Sequence, residues 1–195
     1  MDPKLYKQAL LNELYEPYKN CTMCPLGSLG RKNVVFGEGD PDAGLMFIGE
    51  GPGRDEDLQG RPFVGRSGQL LTRTLASHQV KRENVFISNI VKCRPPDNRT
   101  PTELESTTCK KLLLEKQIKI IRPKVICTLG STALVHLTGK EFKITKARGK
   151  IIEQNGMIII PTYHPAYILR NASEITTFSN DIKFALEQAQ LLQKK

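Results

Sequence analysis

Residues 45–71 read LMFIGEGPGRDEDLQGRPFVGRSGQLL. The apolar run LMFI empties into a loop with six glycines between positions 49 and 68, a burst of acids and one Pro-Phe pair, and then a helix-like stretch. Strand, glycine turn, helix is the unit from which parallel α/β sheets are built. Such a turn usually holds something flat or something phosphorylated. GEGPG lacks the GK[ST] of a Walker A loop, and its spacing does not match GxGxxG. PFVGRSG sets Phe63 between glycines directly before a helix start. That suits a planar ring laid on Phe63, with backbone N–H groups pointing at its oxygens. A purely structural turn is the plainer alternative.

The alternation continues on both sides of this loop. Leu5, Ala9, Leu10, Leu14 and Tyr18 fall at helical spacing within residues 3–19. Short strands are expected near NVVFGEG (33–39) and GLMFIGE (44–50), then a helix around SGQLLTRTLASH (67–78) capped by Ser67. VFISNIVKC (85–93) reads as a strand, 100–121 as a long helix, KVICTLG (124–130) as a strand and STALVHLTG (131–139) as a short helix. A hairpin turning at Asn155-Gly156 follows, and a last helix spans 175–193. The pattern implies a parallel α/β sheet covered on both faces. Ligands of such sheets bind at the carboxyl ends of the strands. GEGPG, SNIVKC and PTYHP sit at or just past strand ends and are expected to converge there.

At 195 residues the chain suits one domain, 1–195. No apolar run approaches a membrane span, and MDPKLYKQALLNELYEPY at the start is an amphipathic helix pattern rather than a signal peptide. No membrane partner and a cytoplasmic location are expected. The net charge of +9 fits either a solvated basic surface or a polyanion partner, and nucleic acid is the favoured one. Of five cysteines, Cys21 and Cys24 form a CxxC, and Cys93 and Cys109 lie 16 residues apart downstream. Without a secretion signal, CxxC points to a metal or a redox pair. Cys127, in KVICTLG, reads as a small buried hydrophobe.

Four motifs occur in order: GEGPG-x-x-E (49–56), GRPFVG-x-SG-x-L (60–70), SNIVKCRPP-x-NR-x-P (88–101) and HPAY-x-LR (164–170). Together with Cys21, Cys24, Cys93 and Cys109 they resemble the family 4 uracil-DNA glycosylases, the iron–sulfur branch of that superfamily. The resemblance implies a central, mainly parallel four-stranded sheet flanked by helices, with the N-terminal loop stapled by a metal cluster. It implies hydrolysis of the N-glycosidic bond of uracil in single- and double-stranded DNA after base flipping, leaving an abasic site. The setting would be base-excision repair at the nucleoid.

The resemblance also distributes roles. His164 would donate to uracil O2 as negative charge builds on the leaving base, which is differential binding of the transition state. His78 and His136 read as surface or packing residues. Asn89 would read the base edge, accepting from N3–H and donating to O4. Phe63 would stack on the base. Where family 1 enzymes place an Asp, this chain has Gly51, so Glu50 or Glu56 would orient the water, or leaving-group stabilisation dominates. The alternative for Glu56 is to crowd uracil C5 and exclude thymine, the role favoured here. Ile168 or Leu169 would wedge into the gap left by the base. Arg170, Arg94, Arg99 and Lys92 would contact phosphates.

Cys21, Cys24, Cys93 and Cys109 would bind a [4Fe–4S] cluster; four thiolates also suit zinc, but their widely split spacing is unlike a zinc ribbon. A non-catalytic nucleic-acid-binding module and a metal-stapled nucleotide-binding enzyme are the competing functions. The tail LEQAQLLQKK (186–195) is too generic to specify a sliding-clamp contact, and monomer is the default state.

Overall fold

The computed structural model describes residues 2–193; Met1, Lys194 and Lys195 of the two terminal runs read above lie outside the described residues. In chain order the elements are α1 (Pro3–Tyr15), β1 (Glu38–Gly39), β2 (Leu45–Gly49), α2 (Arg54–Gln59), α3 (Arg66–Ser77), β3 (Phe86–Asn89), α4 (Glu103–Cys109), α5 (Glu115–Ile121), β4 (Val125–Leu129), α6 (Ser131–Thr138), α7 (Ile144–Ala147), β5 (Ile152–Gln154), β6 (Met157–Thr162), α8 (Pro165–Arg170) and α9 (Ile175–Gln193).

The strands form one sheet in the order β1-β3-β2-β4-β6-β5. The four central strands, β3, β2, β4 and β6, are parallel, and β1 and β5 add antiparallel edges. The sheet is therefore mixed and six-stranded, with the expected parallel four at its centre. Every residue of β2, β3 and β4 is buried, as strands covered on both faces must be. One apolar layer joins Met46, Ile48 and Ile126 to Leu11, Leu113, Leu114 and Leu134. The other joins Phe47, Ile87 and Cys127 to Leu71, Leu75, Phe178 and Ile182. Alternate residues of each strand thus feed opposite layers.

Local chemistry sets the boundaries. Asp2 caps α1 by accepting from Lys4 N, and Pro17 limits the helix to Tyr15, short of residue 19, leaving a 3-10 turn at Glu16–Tyr18. The loop after β2 holds a helix that the glycines conceal. Its first turn carries Asp55, Glu56 and Asp57, which complement the helix dipole. Ser67 is not the cap of α3: Gly65 takes that position and Ser67 lies inside the first turn. The expected helix over 100–121 forms as α4 and α5 joined by a π-helical segment, Lys110–Leu114, directly after Cys109. It starts at a capping box, with Thr102 Oγ1 accepting from Glu105 N and Glu105 Oε2 accepting from Thr102 N.

Candidate active site

The carboxyl ends of the parallel strands open into a cavity of about 530 Å³, within the range of small-molecule sites. Its lining includes Glu50, Gly51, Glu56, Phe63, Asn89, Arg99, His164, Tyr167 and Arg170. The three segments expected to converge do so.

Asn89 is the last residue of β3 and is 1% exposed. Its Oδ1 is buried without a hydrogen-bond partner, a costly state unless a ligand supplies a donor. Gly49, its register partner on β2, makes room for it. A Cβ at position 49 would stand 2.5 Å from both Asn89 Oδ1 and Phe63 Cζ. The carboxamide and the aromatic edge therefore approach each other over a bare backbone.

His164 leaves β6 and becomes the N-cap of α8, its Nδ1 accepting from Ala166 N at 3.1 Å. An N–H only donates, so Nδ1 carries no proton and the neutral ring carries its proton on Nε2. Enclosure by protein, assisted by the Arg170 charge, lowers the His164 pKa to about 4. The ring is thus neutral at physiological pH with a single N–H donor. His78 bonds Ser179 on α9, and His136 faces Glu103; neither lines this cavity.

Phe63 is 6% exposed and holds a φ of 50°, a region that bulky residues seldom adopt. Glu56 works on the same loop. Its Oε1 accepts from Val64 N and Gly65 N, and its Oε2 accepts from Gly53 N. Both oxygens are therefore engaged with backbone. Asp57 is likewise engaged by Lys32 N and Asn33 N, whereas Glu50 stands in the cavity wall. A Cβ at Gly51 would come within 2.8 Å of Val91 Cγ2, so a side chain at this position requires Val91 to move.

Two expectations about DNA contacts fail. Lys92 is fully buried, its ammonium donating to Ser88 Oγ, Asn89 O and Gln117 Oε1. It cannot reach a phosphate, and burial lowers its pKa to about 7. Ile168 is 2% exposed and packs with Phe178 and Leu71 in the core layer, whereas Leu169 is 37% exposed. One step along a helix turns the side chain by about 100°, which is why neighbours in ILR have opposite fates. Arg170 is exposed at the cavity rim. Arg99 also reaches that rim, held by a bidentate pair with Glu105 at 2.8 Å on each prong. Arg94 is steadied by Asn98 Oδ1.

Cys21, Cys24, Cys93 and Cys109 line one small cavity, and all are free thiols. Among the described residues no three His, Cys, Asp or Glu side chains are arranged to hold a single ion. A polynuclear cluster spreads its thiolates more widely than one tetrahedral ion does. Burial pushes the Cys93 thiol up to about 12 and Cys109 to about 11. Thiolates at this place require a positive centre among them, and the all-sulfur donor set fits an iron–sulfur cluster. Cys127 is buried in β4, as expected.

Arg82 was not legible as a partner of the Phe63 loop. It lies in a 3-10 turn after α3, and its guanidinium reaches back to the carbonyls of Pro62 and Phe63. Nothing in REN (82–84) signals that reach.

A cavity at the carboxyl ends of the parallel strands thus brings together an orphan amide oxygen, a neutral imidazole and a constrained aromatic. The chain belongs to the uracil-DNA glycosylase superfamily: residues 36–190 match the family profile described as "Uracil DNA glycosylase superfamily". Within it, the chain falls in the type-4 group. It is 52% identical to a type-4 uracil-DNA glycosylase of Thermotoga maritima, over 86% of this chain and 87% of the relative. It is 43% identical to the type-4 enzyme of Sulfurisphaera tokodaii, over 92% and 84% of the two chains. A type-5 uracil-DNA glycosylase of Pyrobaculum aerophilum is 29% identical, over 71% and 68%.

Proposed function

We propose that this enzyme excises uracil from DNA in base-excision repair, acting on a nucleotide swung out of the helix into the 530 Å³ cavity. The flipped base stacks on Phe63. Asn89 accepts from uracil N3–H through Oδ1 and donates to O4 through Nδ2. Cytosine, whose ring nitrogen carries no proton and whose 4-substituent is a donor, is rejected. The C1′–N1 bond breaks with its electron pair passing to the base, and the negative charge is delocalised onto O2. His164 Nε2–H faces that oxygen and gains strength as the charge grows. Water then bonds to C1′ and gives up a proton, the expelled uracil anion takes up one proton in turn, and an abasic sugar and free uracil are left. Glu50 orients that water. Glu56 acts at one remove, fixing the Phe63 loop through backbone N–H groups rather than crowding C5.

Cys21, Cys24, Cys93 and Cys109 hold a [4Fe–4S] cluster, which when bound supplies a cross-link and no electron to the reaction. It ties the N-terminal loop to the segment after Asn89 and to α4. Arg170, Arg94 and Arg99 meet phosphates, and Leu169 occupies the space vacated in the stack. The reading rests above all on the buried, unpartnered Oδ1 of Asn89, an acceptor waiting for a donor in a cavity shared with His164. The sequence similarity to type-4 enzymes supports the same reaction, and no observation favours a non-catalytic module. The test is incubation with a uracil-containing oligonucleotide, followed by alkali and by chromatography of the released base. Strand cleavage at the uracil with free uracil is expected; intact strands would overturn the reading.

A further inference from the structure

Phe63 holds its left-handed φ of 50° without the help of a glycine, so something outside the residue must impose it. Two charged side chains grip the loop from opposite sides. Glu56 takes the N–H groups of Val64 and Gly65, at 2.9 and 2.8 Å. Arg82 takes the carbonyls. Its Nη1 donates to Phe63 O at 2.8 Å and to Thr72 Oγ1 at 3.3 Å, and its Nη2 donates to Pro62 O. The guanidinium is aimed in turn by Glu38 on β1, which accepts from Arg82 Nε at 3.0 Å and is itself bound by Arg61 Nε at 2.7 Å. The Arg82 side chain is 11% exposed, so these bonds are little diluted by water. α3 also lies against the carbonyl of Phe63: a Cβ at Gly68 would stand 1.8 Å from it. The peptide that follows Phe63 is therefore held at both its N–H and its C=O, and the one that precedes it at its C=O.

We propose that Arg82, oriented by Glu38, is a positioning residue that holds Phe63 in its strained conformation as the stacking platform for the flipped base. The proposal rests on the reading of Phe63 given above. A planar fork satisfies two successive carbonyls at once; an ammonium, a point charge on a flexible stem, does not. Arg82 touches neither base nor sugar and acts only through the placement of the ring.

That last property supplies the test, a double-mutant cycle with Phe63. Single-turnover uracil release is measured with enzyme in excess for wild type, Arg82→Lys, Phe63→Ala and the double variant, each checked for folding by thermal melting. Arg82→Lys is expected to slow release by about 10- to 100-fold, the scale of a small misplacement of a reacting partner. In the Phe63→Ala background the same change is expected to cost no more than about twofold, because no ring remains to be placed. A role in stability alone would slow both backgrounds by the same factor, and that result would overturn the proposal. So would Arg82→Lys releasing uracil within about twofold of wild type. Should Arg82→Lys fail to fold, Glu38→Ala, which leaves the guanidinium present but unaimed, enters the same cycle with the same two outcomes. An inactive wild type would instead sink the functional reading itself.

Discussion

The rings of Phe63 and His164 stand 6.0 Å apart, centroid to centroid, and are tilted by 38° to one another. On the proposed reading, a base lying on the first ring turns its O2 edge toward the second. Because His164 Nδ1 accepts from Ala166 N, the only proton on the neutral ring is at Nε2. Replacing His164 by Ala removes that donor, and uracil release is expected to slow by about 100- to 1,000-fold. Melting should change far less than rate.

The same histidine has a sign in pH. Its pKa is lowered from 6.5 to about 4, so the native ring stays neutral down to that pH while the unfolded chain takes up a proton near 6.5. Its contribution to stability is therefore full above 6.5 and is lost as the pH falls toward 4. Catalysis follows the neutral form. The pH dependence of kcat/KM should show no inflection between about 5 and 7 that disappears in His164→Gln. A His164-dependent inflection near 6.5 would mean that the ring is not enclosed as described.

Asn89 carries the complementary argument. On the proposed reading its orphan Oδ1 gains a partner when a base with a proton on N3 enters. Asn89→Ala is expected to lower the rate of uracil release by about 100-fold or more, since sites that bond a polar edge depend strongly on it. Affinity for DNA without uracil should stay unchanged, because phosphate contacts set that term.

How far these features were legible in the sequence follows from what each depends on. The parallel core could be read because β2 and β4 are almost wholly apolar, with Thr128 the one polar side chain between them, and burial on both faces demands that pattern. The glycine loop could be read as a site because its residues are local. Lys92 and Ile168 could not. A lysine beside Arg94 looks like part of a basic patch until Ser88, Asn89 O and Gln117 close around it. The fates of Ile168 and Leu169 depend on the face of α8 that meets α3, a tertiary fact. Arg82 is the extreme case, because its partners lie 19 and 20 residues away in the chain and no period or motif links them.

The cysteine cavity yields a prediction about ligand removal. Cys109 ends α4, just before the π-helical segment, and its Sγ accepts from Lys92 N at 3.3 Å, so it ties α4 to the segment that follows Asn89. Cys109→Ser is expected to purify with less iron and weaker visible absorbance, and to melt at lower temperature than wild type, because binding free energy at such a site is folding free energy. Zinc in colourless wild-type protein would contradict the cluster assignment.

Arg170 ends α8 at the cavity mouth with its charge exposed. A phosphate contact there is sequence-independent and releases one counterion. Arg170→Ala is therefore expected to weaken binding to all duplexes alike and to reduce the slope of log K against log salt by about one. Loss restricted to uracil-containing duplexes would place Arg170 in base recognition instead.

Ile168 and Leu169 separate packing from DNA contact within one helix turn. Ile168 is buried against Phe178, and truncation to Ala leaves a cavity in the core, costing about 2–5 kcal/mol of stability. Leu169 is 37% exposed, and its truncation should alter stability by no more than about 0.5 kcal/mol. The effects on substrate are expected to run the other way. A side chain that fills the gap in a stack matters only where there is a stack to fill, so Leu169→Ala should slow excision from double-stranded DNA while sparing single-stranded substrate. Ile168→Ala, measured below its lowered melting temperature, should affect both substrates equally. If Leu169→Ala slowed the two substrates by the same factor, its side chain would be contacting the nucleotide itself rather than replacing it in the helix.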